Sequence, residues 1–158
     1  MRDKHLTYPD AVVSPTADGR HWTFELTDAA VKLLADVSQA PEASIRSMRL
    51  KKAWWVWPGF AITAGKDTDH IVIYLSRAYF DPKKLGCRPM TWLRQLSHEC
   101  VHIKHRAAFK SQWRYVWSFT WDYIKHLSHD TPREREADEA IGRFDRTDKS
   151  KYFIPIDN

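Results

Sequence analysis

Apolar and polar positions recur with two different periods along this chain, and the switches between them mark out its elements. Between Thr27 and Gln39, Ala30, Leu33, Leu34 and Val37 return at helical spacing, with Thr27 or Asp28 placed to cap the helix and Pro41 marking its exit. From Ser47 to Ser76 the pattern changes to SMRLKKAWWVW, FAITA and HIVIYLS, runs rich in Trp, Val, Ile and Tyr that are broken by Pro58-Gly59 and GKDTD. These predict three strands with tight connections. FDPKKLGCRP reads as a loop. Helical periodicity then covers about Met90 to Ala107, about Ala108 to Leu127 and Pro132 to about Arg143. Upstream, residues 1 to 21 carry Pro9, Pro15 and Gly19 and read as an irregular arm leading into a short strand at HWTFEL.

The expected fold class is α+β. One domain holds a small, mainly antiparallel sheet of about three to four strands, packed on the helix over 90–107 and on a C-terminal helix rich in glutamate. Its bounds are an arm over 1–19, a domain over 20–145 and a tail over 146–158, in which the apolar residues from Tyr152 onward can pack as a terminal strand. Phe109, Trp113, Trp117, Trp121 and Ile124 form a stripe at helical spacing, which predicts a face buried in the core.

Composition narrows this picture. A chain of 158 residues with 43% apolar positions and eight Trp has the material for one packed core. The net charge of +5 is interleaved with acids, without a long basic block. Nucleic acid therefore stays open as a partner, on the strength of Arg46, Arg49, Lys51 and Lys52 beside Trp54, Trp55 and Trp57. The same segment is more economically a strand with one solvated end. Cys87 and Cys100 are too few for a disulfide scaffold, which favours a reducing compartment. MRDKHLTYPD lacks the apolar core of a signal peptide, and no segment approaches the roughly 20 apolar residues of a membrane span. The expected location is cytoplasmic, with no membrane partner.

The candidate chemistry sits in LRQLSHECVHIKHR. Residues four apart on a helix share a face about 6 Å apart along the axis, so the imidazoles of His98 and His102 can converge on one cation. At about 100° per residue, Leu93, Leu96, Cys100, Ile103 and Ala107 cluster on one side, and the two histidines point almost directly away from it. Glu99 is expected next to them on the rim. His105 continues the pattern, but it stands about 10 Å along the axis from His98, too far to share one zinc ion. It is expected near the site or at the surface.

A third ligand is offered by TPREREADEA. Glu134, Asp138 and Ile141 share one helical face, from which Glu136 and Glu139 are turned away. Glu134 can complete a His/His/Glu zinc site, and Asp138, one turn on, can accept the free N–H of a zinc-bound imidazole. Thr131-Pro132-Arg133-Glu134 also reads as a capping box with Pro at the first helical position, a role that explains Glu134 without a metal.

HECVH followed by Glu134-Arg135-Glu136-Ala137-Asp138 resembles the gluzincin metallopeptidases, HExxH plus a downstream ExxxD, with ExxAD similar to the CAAX-protease type. The pattern over about residues 70 to 142 also resembles small metallopeptidases common in bacteria and their phages. The chain departs from the CAAX type in having no membrane spans, and from the metzincin pattern in having Ala108 where its third histidine stands. The resemblance implies a zincin-like domain that cleaves a peptide or protein substrate, with Zn2+ held by His98, His102 and Glu134 and with Glu99 as general base. Tyr123, His126 and His129 are its candidate oxyanion donors. HIVIYLS is the candidate edge strand for an extended substrate, though its apolar run equally suits a buried strand, and Cys87 is either an inhibitory thiolate or an ordinary loop thiol. Two alternatives stand beside the peptidase. One is a non-catalytic binding or structural protein on the same scaffold, such as a phage-particle component with virion partners. The other is a nucleic-acid-associated protease.

Overall fold

The computed structural model describes residues 16–18, 21–23, 26–56, 61–65, 70–76, 89–109, 111, 113–118, 121 and 131–153. Two short strands, β1 (Thr16–Asp18) and β2 (His21–Thr23), pair antiparallel, so the expected irregular arm contributes a strand. Helix α1 (Asp28–Ser38) begins where its cap lies: Thr27 Oγ1 accepts a hydrogen bond from the Ala30 N–H at 3.3 Å. It ends at Gln39, whose N–H still donates to the Ala35 carbonyl and whose left-handed φ of 62° turns the chain out of the helix. A second helix, α2 (Glu42–Ser47), follows Pro41 directly. It was not expected, because six residues are too few to display a period.

The sheet comprises β3 (Arg49–Ala53), β4 (Ala61–Gly65) and β5 (Ile71–Ser76) in the order β3-β5-β4. It is mixed rather than mainly antiparallel, since β3 runs parallel to β5 and only β4 opposes it. HIVIYLS is consequently the central strand, and β4 is the antiparallel edge. Along β5, Ile71, Ile73 and Leu75 are buried while Val72 and Tyr74 turn to the other face. β3 stops at Ala53, and Trp54 and Trp55 lie in a turn beyond it.

Helix α3 (Pro89–Ala107) carries HECVH, and helix α4 (Pro132–Arg146) carries the downstream acids. The core joins Leu33, Leu34 and Val37 of α1 to Leu93, Leu96, Cys100 and Ile103 of α3 and to Leu50, Ile73 and Leu75 of the sheet. Ala107, expected on that apolar face, is exposed. α4 extends through Arg146, beyond the expected domain end at 145. Phe144 and Phe153 both join the core, and Tyr152 donates to Asp36 of α1 at 2.6 Å. The start of the tail is therefore part of the domain; residues 154–158, where a terminal strand was expected, lie outside the described residues.

Of the expected helix over 108–127, Ala108 is a turn and helix is seen over 113–118 and at 121, while 119–120 and 122–127 lie outside the described residues. Its aromatic stripe is not core, because Trp113, Trp117 and Trp121 are 75%, 67% and 66% exposed. Tyr115, on the opposite face, is the buried residue, with its ring 5.6 Å from that of Phe109. No described helix is long and apolar enough to cross a membrane.

Candidate metal centre

α3 and α4 run antiparallel, and their contacts form a ladder. Arg94 makes two hydrogen bonds to Asp145, at 2.8 and 2.9 Å. Val101 packs against Ala137 and Ala140, all three fully buried. At the far end Glu136 accepts from Lys104 Nζ at 2.6 Å and lies 2.7 Å from His105 Nε2. The two alanines, three residues apart, let α4 approach closely, and this brings its first turn over His98 and His102.

The first turn is built locally. Thr131 Oγ1 accepts from the Glu134 N–H at 3.2 Å, and Pro132 occupies the first helical position. The Thr131 half of the expected capping box is thus present, while both Glu134 carboxylate oxygens face imidazoles. Oε2 is 3.3 Å from His98 Nε2, and Oε1 is 3.5 Å from His102 Nε2. The two Nε2 atoms are 3.3 Å apart. One donor atom from each of His98, His102 and Glu134 therefore lies within 4.8 Å of the others.

This set fits a zinc ion on chemical and metric grounds. Zinc takes imidazole nitrogen and carboxylate oxygen at about 2.0–2.1 Å in a tetrahedron, which places donor atoms roughly 3.3–3.4 Å apart. The proton inventory points the same way. Asp138 Oδ1 is 3.2 Å from His98 Nδ1, so the carboxylate draws the ring proton to Nδ1. A neutral His98 then turns its Nε2 lone pair toward a carboxylate and a second imidazole. That arrangement is repulsive unless a proton or a cation sits among the donors.

Without a metal, the two imidazoles are driven apart in basicity. Burial pulls His98 down, but its hydrogen bond to Glu134 and the charges of Glu99, Glu134 and Asp138 outweigh that and raise it. His102 is pulled down to about 4, chiefly by burial, with Glu134 opposing and His98, His105 and Arg133 adding.

Glu99 is not on the rim. It is buried beneath β4, where Thr63 Oγ1 donates to its Oε2 at 2.8 Å. Thr63 can reach it because the register places it opposite Ile73, on the face toward α3. Burial raises the Glu99 carboxyl above its usual range, against the lowering effects of His98 and of hydrogen bonds from Thr63 and Gln95. A second tie fixes the other end of β4: the buried Arg106 donates to the Gly65 carbonyl at 3.4 Å and to the Phe109 carbonyl at 2.7 Å.

Three features escaped the sequence. Glu136 is turned from the Glu134 face, yet it reaches across to His105 and Lys104, which places His105 beside the site and not in it. Arg133 ties Phe109 and Ser118 to the start of α4, with Nη1 donating to Ser118 Oγ at 2.8 Å and the guanidinium 5.3 Å from the centre of the Phe109 ring. Tyr115 feels the charges of both Glu99 and Glu134; burial foremost pushes its phenol up to about 12. Tyr123, His126 and His129, the expected oxyanion donors, lie outside the described residues, as does Cys87. Cys100 is buried in the core, where burial pushes its thiol well up. No family model matches the chain, and neither a curated protein nor a solved structure matches it.

Proposed function

We propose that this chain is a zinc-dependent metallopeptidase with a zincin-like arrangement, in which His98, His102 and Glu134 hold the metal and Glu99 acts as general base. The observation that carries the reading is the convergence of those three donor atoms within 4.8 Å, with His98 oriented from behind by Asp138. The burial of Glu99 beneath β4 and its anchoring by Thr63 support it further.

Zinc bound there would lower the pKa of water toward about 7 and polarise a substrate carbonyl. The chain supplies the rest. Asp138 keeps the His98 proton on Nδ1 and so keeps Nε2 available as a ligand atom. Glu99 takes a proton from the attacking water and returns it to the leaving amine. Its raised basicity favours that work, and Thr63 restrains the carboxylate through Oε2. β4 supplies the edge for an extended peptide, because among the described residues it pairs on one side only. Its ties to Glu99 and Arg106 hold that edge in register with the site.

Metal content of purified protein by elemental analysis tests the ligand set, with Glu134→Ala and Glu136→Ala as comparisons. The reading requires about one zinc per chain, lost in Glu134→Ala and retained in Glu136→Ala. Cleavage of a peptide library that is abolished in Glu99→Gln then tests the catalytic assignment. Zinc without turnover leaves the non-catalytic scaffold as the answer; no zinc removes both.

A further inference from the structure

We propose that the face of the sheet turned away from the core binds single-stranded nucleic acid, with bases stacking on Trp54, Trp55 and Tyr74 and phosphates paired with Arg49 and Lys51. The proposal is independent of the metal reading. The β3–β5 register sets Lys51 beside Tyr74, and Arg49 one pleat earlier, on the same face. The chain then turns and lays Trp55 against Tyr74, with ring centroids 5.2 Å apart. Trp54 is 77% exposed and Trp55 49%. Tryptophan is seldom left so bare, and two held in a turn beside a rigid strand present aromatic faces at little further cost in order.

Charge distinguishes the kind of partner. No aspartate or glutamate occurs between Glu42 and Asp67, so Arg49 and Lys51 meet no acid in their own segment. Arg46 is excluded from the set because it pairs with Asp28 and Glu42. Arg49 and Lys51 lie two residues apart on a strand, about 6.6–6.8 Å, close to the step between phosphates of a stretched single strand. An anionic membrane would favour rings that project beyond the cations, to enter the apolar layer. Here Lys51 and Tyr74 lie side by side in register, so that a cation and a ring face the same strand of alternating phosphate and base.

The test is fluorescence anisotropy of a labelled oligothymidylate of about 20 nucleotides, titrated with the full chain at several salt concentrations. Two phosphate contacts predict a slope of about −1.4 in log K against log salt, and Lys51→Ala reduces it by about 0.7. Trp54→Ala and Trp55→Ala should each weaken binding about tenfold or more, while Trp54→Phe retains most of it, since any aromatic face stacks. Trp113→Ala, on the other exposed aromatic surface, should bind like wild type. Circular dichroism and unfolding midpoints verify that the variants fold; if Trp55→Ala does not, Trp54→Ala and the salt slope still decide. Absence of binding overturns the proposal. So does binding that the Trp54 variants leave unchanged and that heparin competes equally, which is attraction to any polyanion. Binding to phosphatidylserine vesicles but not to the oligonucleotide, or loss only in Trp113→Ala, likewise overturns it.

Discussion

Asp138 Oδ1 lies 3.2 Å from Nδ1 of His98, forty positions earlier in the chain, and on the far side of that imidazole Nε2 meets His102 and Glu134. A carboxylate behind a ring whose other nitrogen enters a donor cluster sets both the tautomer and the orientation of the ring. Asp138 is otherwise a surface residue, with its side chain 71% exposed. This separates its effect on metal from its effect on folding.

Asp138→Ala is therefore expected to weaken zinc binding by about 10- to 100-fold while changing stability by no more than about 0.5 kcal/mol. Asp138→Asn, whose amide oxygen still accepts the Nδ1–H, should fall between. Competition against a chromophoric chelator, with chemical denaturation of the metal-free proteins, measures both. Equal zinc affinity in all three would remove Asp138 from the site.

The approach of α4 to α3 depends on side chains with no room to grow. Ala137 and Ala140 are fully buried against Val101, so Ala137→Leu should cost about 1–3 kcal/mol by overpacking and displace the turn that carries Glu134. The expected result is a lowered urea midpoint together with the disappearance of any zinc-induced rise in melting temperature. A variant that is less stable yet still stabilised by zinc to the wild-type extent would show that the helix spacing does not set the ligand geometry.

Glu134 and Glu136 stand two residues apart and have different partners. Glu134→Ala should abolish stoichiometric zinc binding. Glu136→Ala removes a partly exposed clasp to Lys104 and His105, which contributes about 1 kcal/mol or less after screening, so zinc should stay at one per chain. Isothermal titration of the two variants distinguishes them.

The metal-free protein should weaken in acid through His102. Its folded pKa of about 4 lies below the usual value of 6.5, so between those limits the unfolded chain takes a proton that the folded chain refuses. Stability is lost as pH falls through this window, on the order of 3 kcal/mol in full. His98, raised when folded, works in the opposite sense: its contribution is present below about 6.5 and fades as pH rises through its folded pKa. Urea midpoints of chelator-treated wild type and His102→Asn from about pH 4 to 7 check the sign. The slope should flatten in the variant.

Much of the scaffold was legible locally. Thr27, the 3–4 spacing of Ala30 to Val37 and Pro41 encode α1 within the fifteen residues from 27 to 41. The period of Leu93, Leu96, Cys100 and Ile103 separates the buried face of α3 from the face that carries His98 and His102. Thr131-Pro132 marks the start of α4. The grouping of Glu134 with Asp138 follows from helix geometry alone, because caps and periods are properties of neighbours along one segment.

Only the tertiary structure decided which faces meet. The Trp113, Trp117 and Trp121 stripe was correctly a single face, yet periodicity states which residues share a side and not whether anything covers it. The edge position of β4 and the central place of β5 depend on strand order, which no single run contains. For that reason Glu99 was expected at the rim and lies instead beneath Thr63. The pairing of Glu136 with His105 likewise joins two helices whose spacing is set by Ala137, Ala140 and Val101. What the sequence determined by itself is thus the chemistry each element can present. Which of those groups come within bonding distance was decided by long-range packing, since close contact between distant segments depends on side-chain volume across the whole interface and not on the local period of either one.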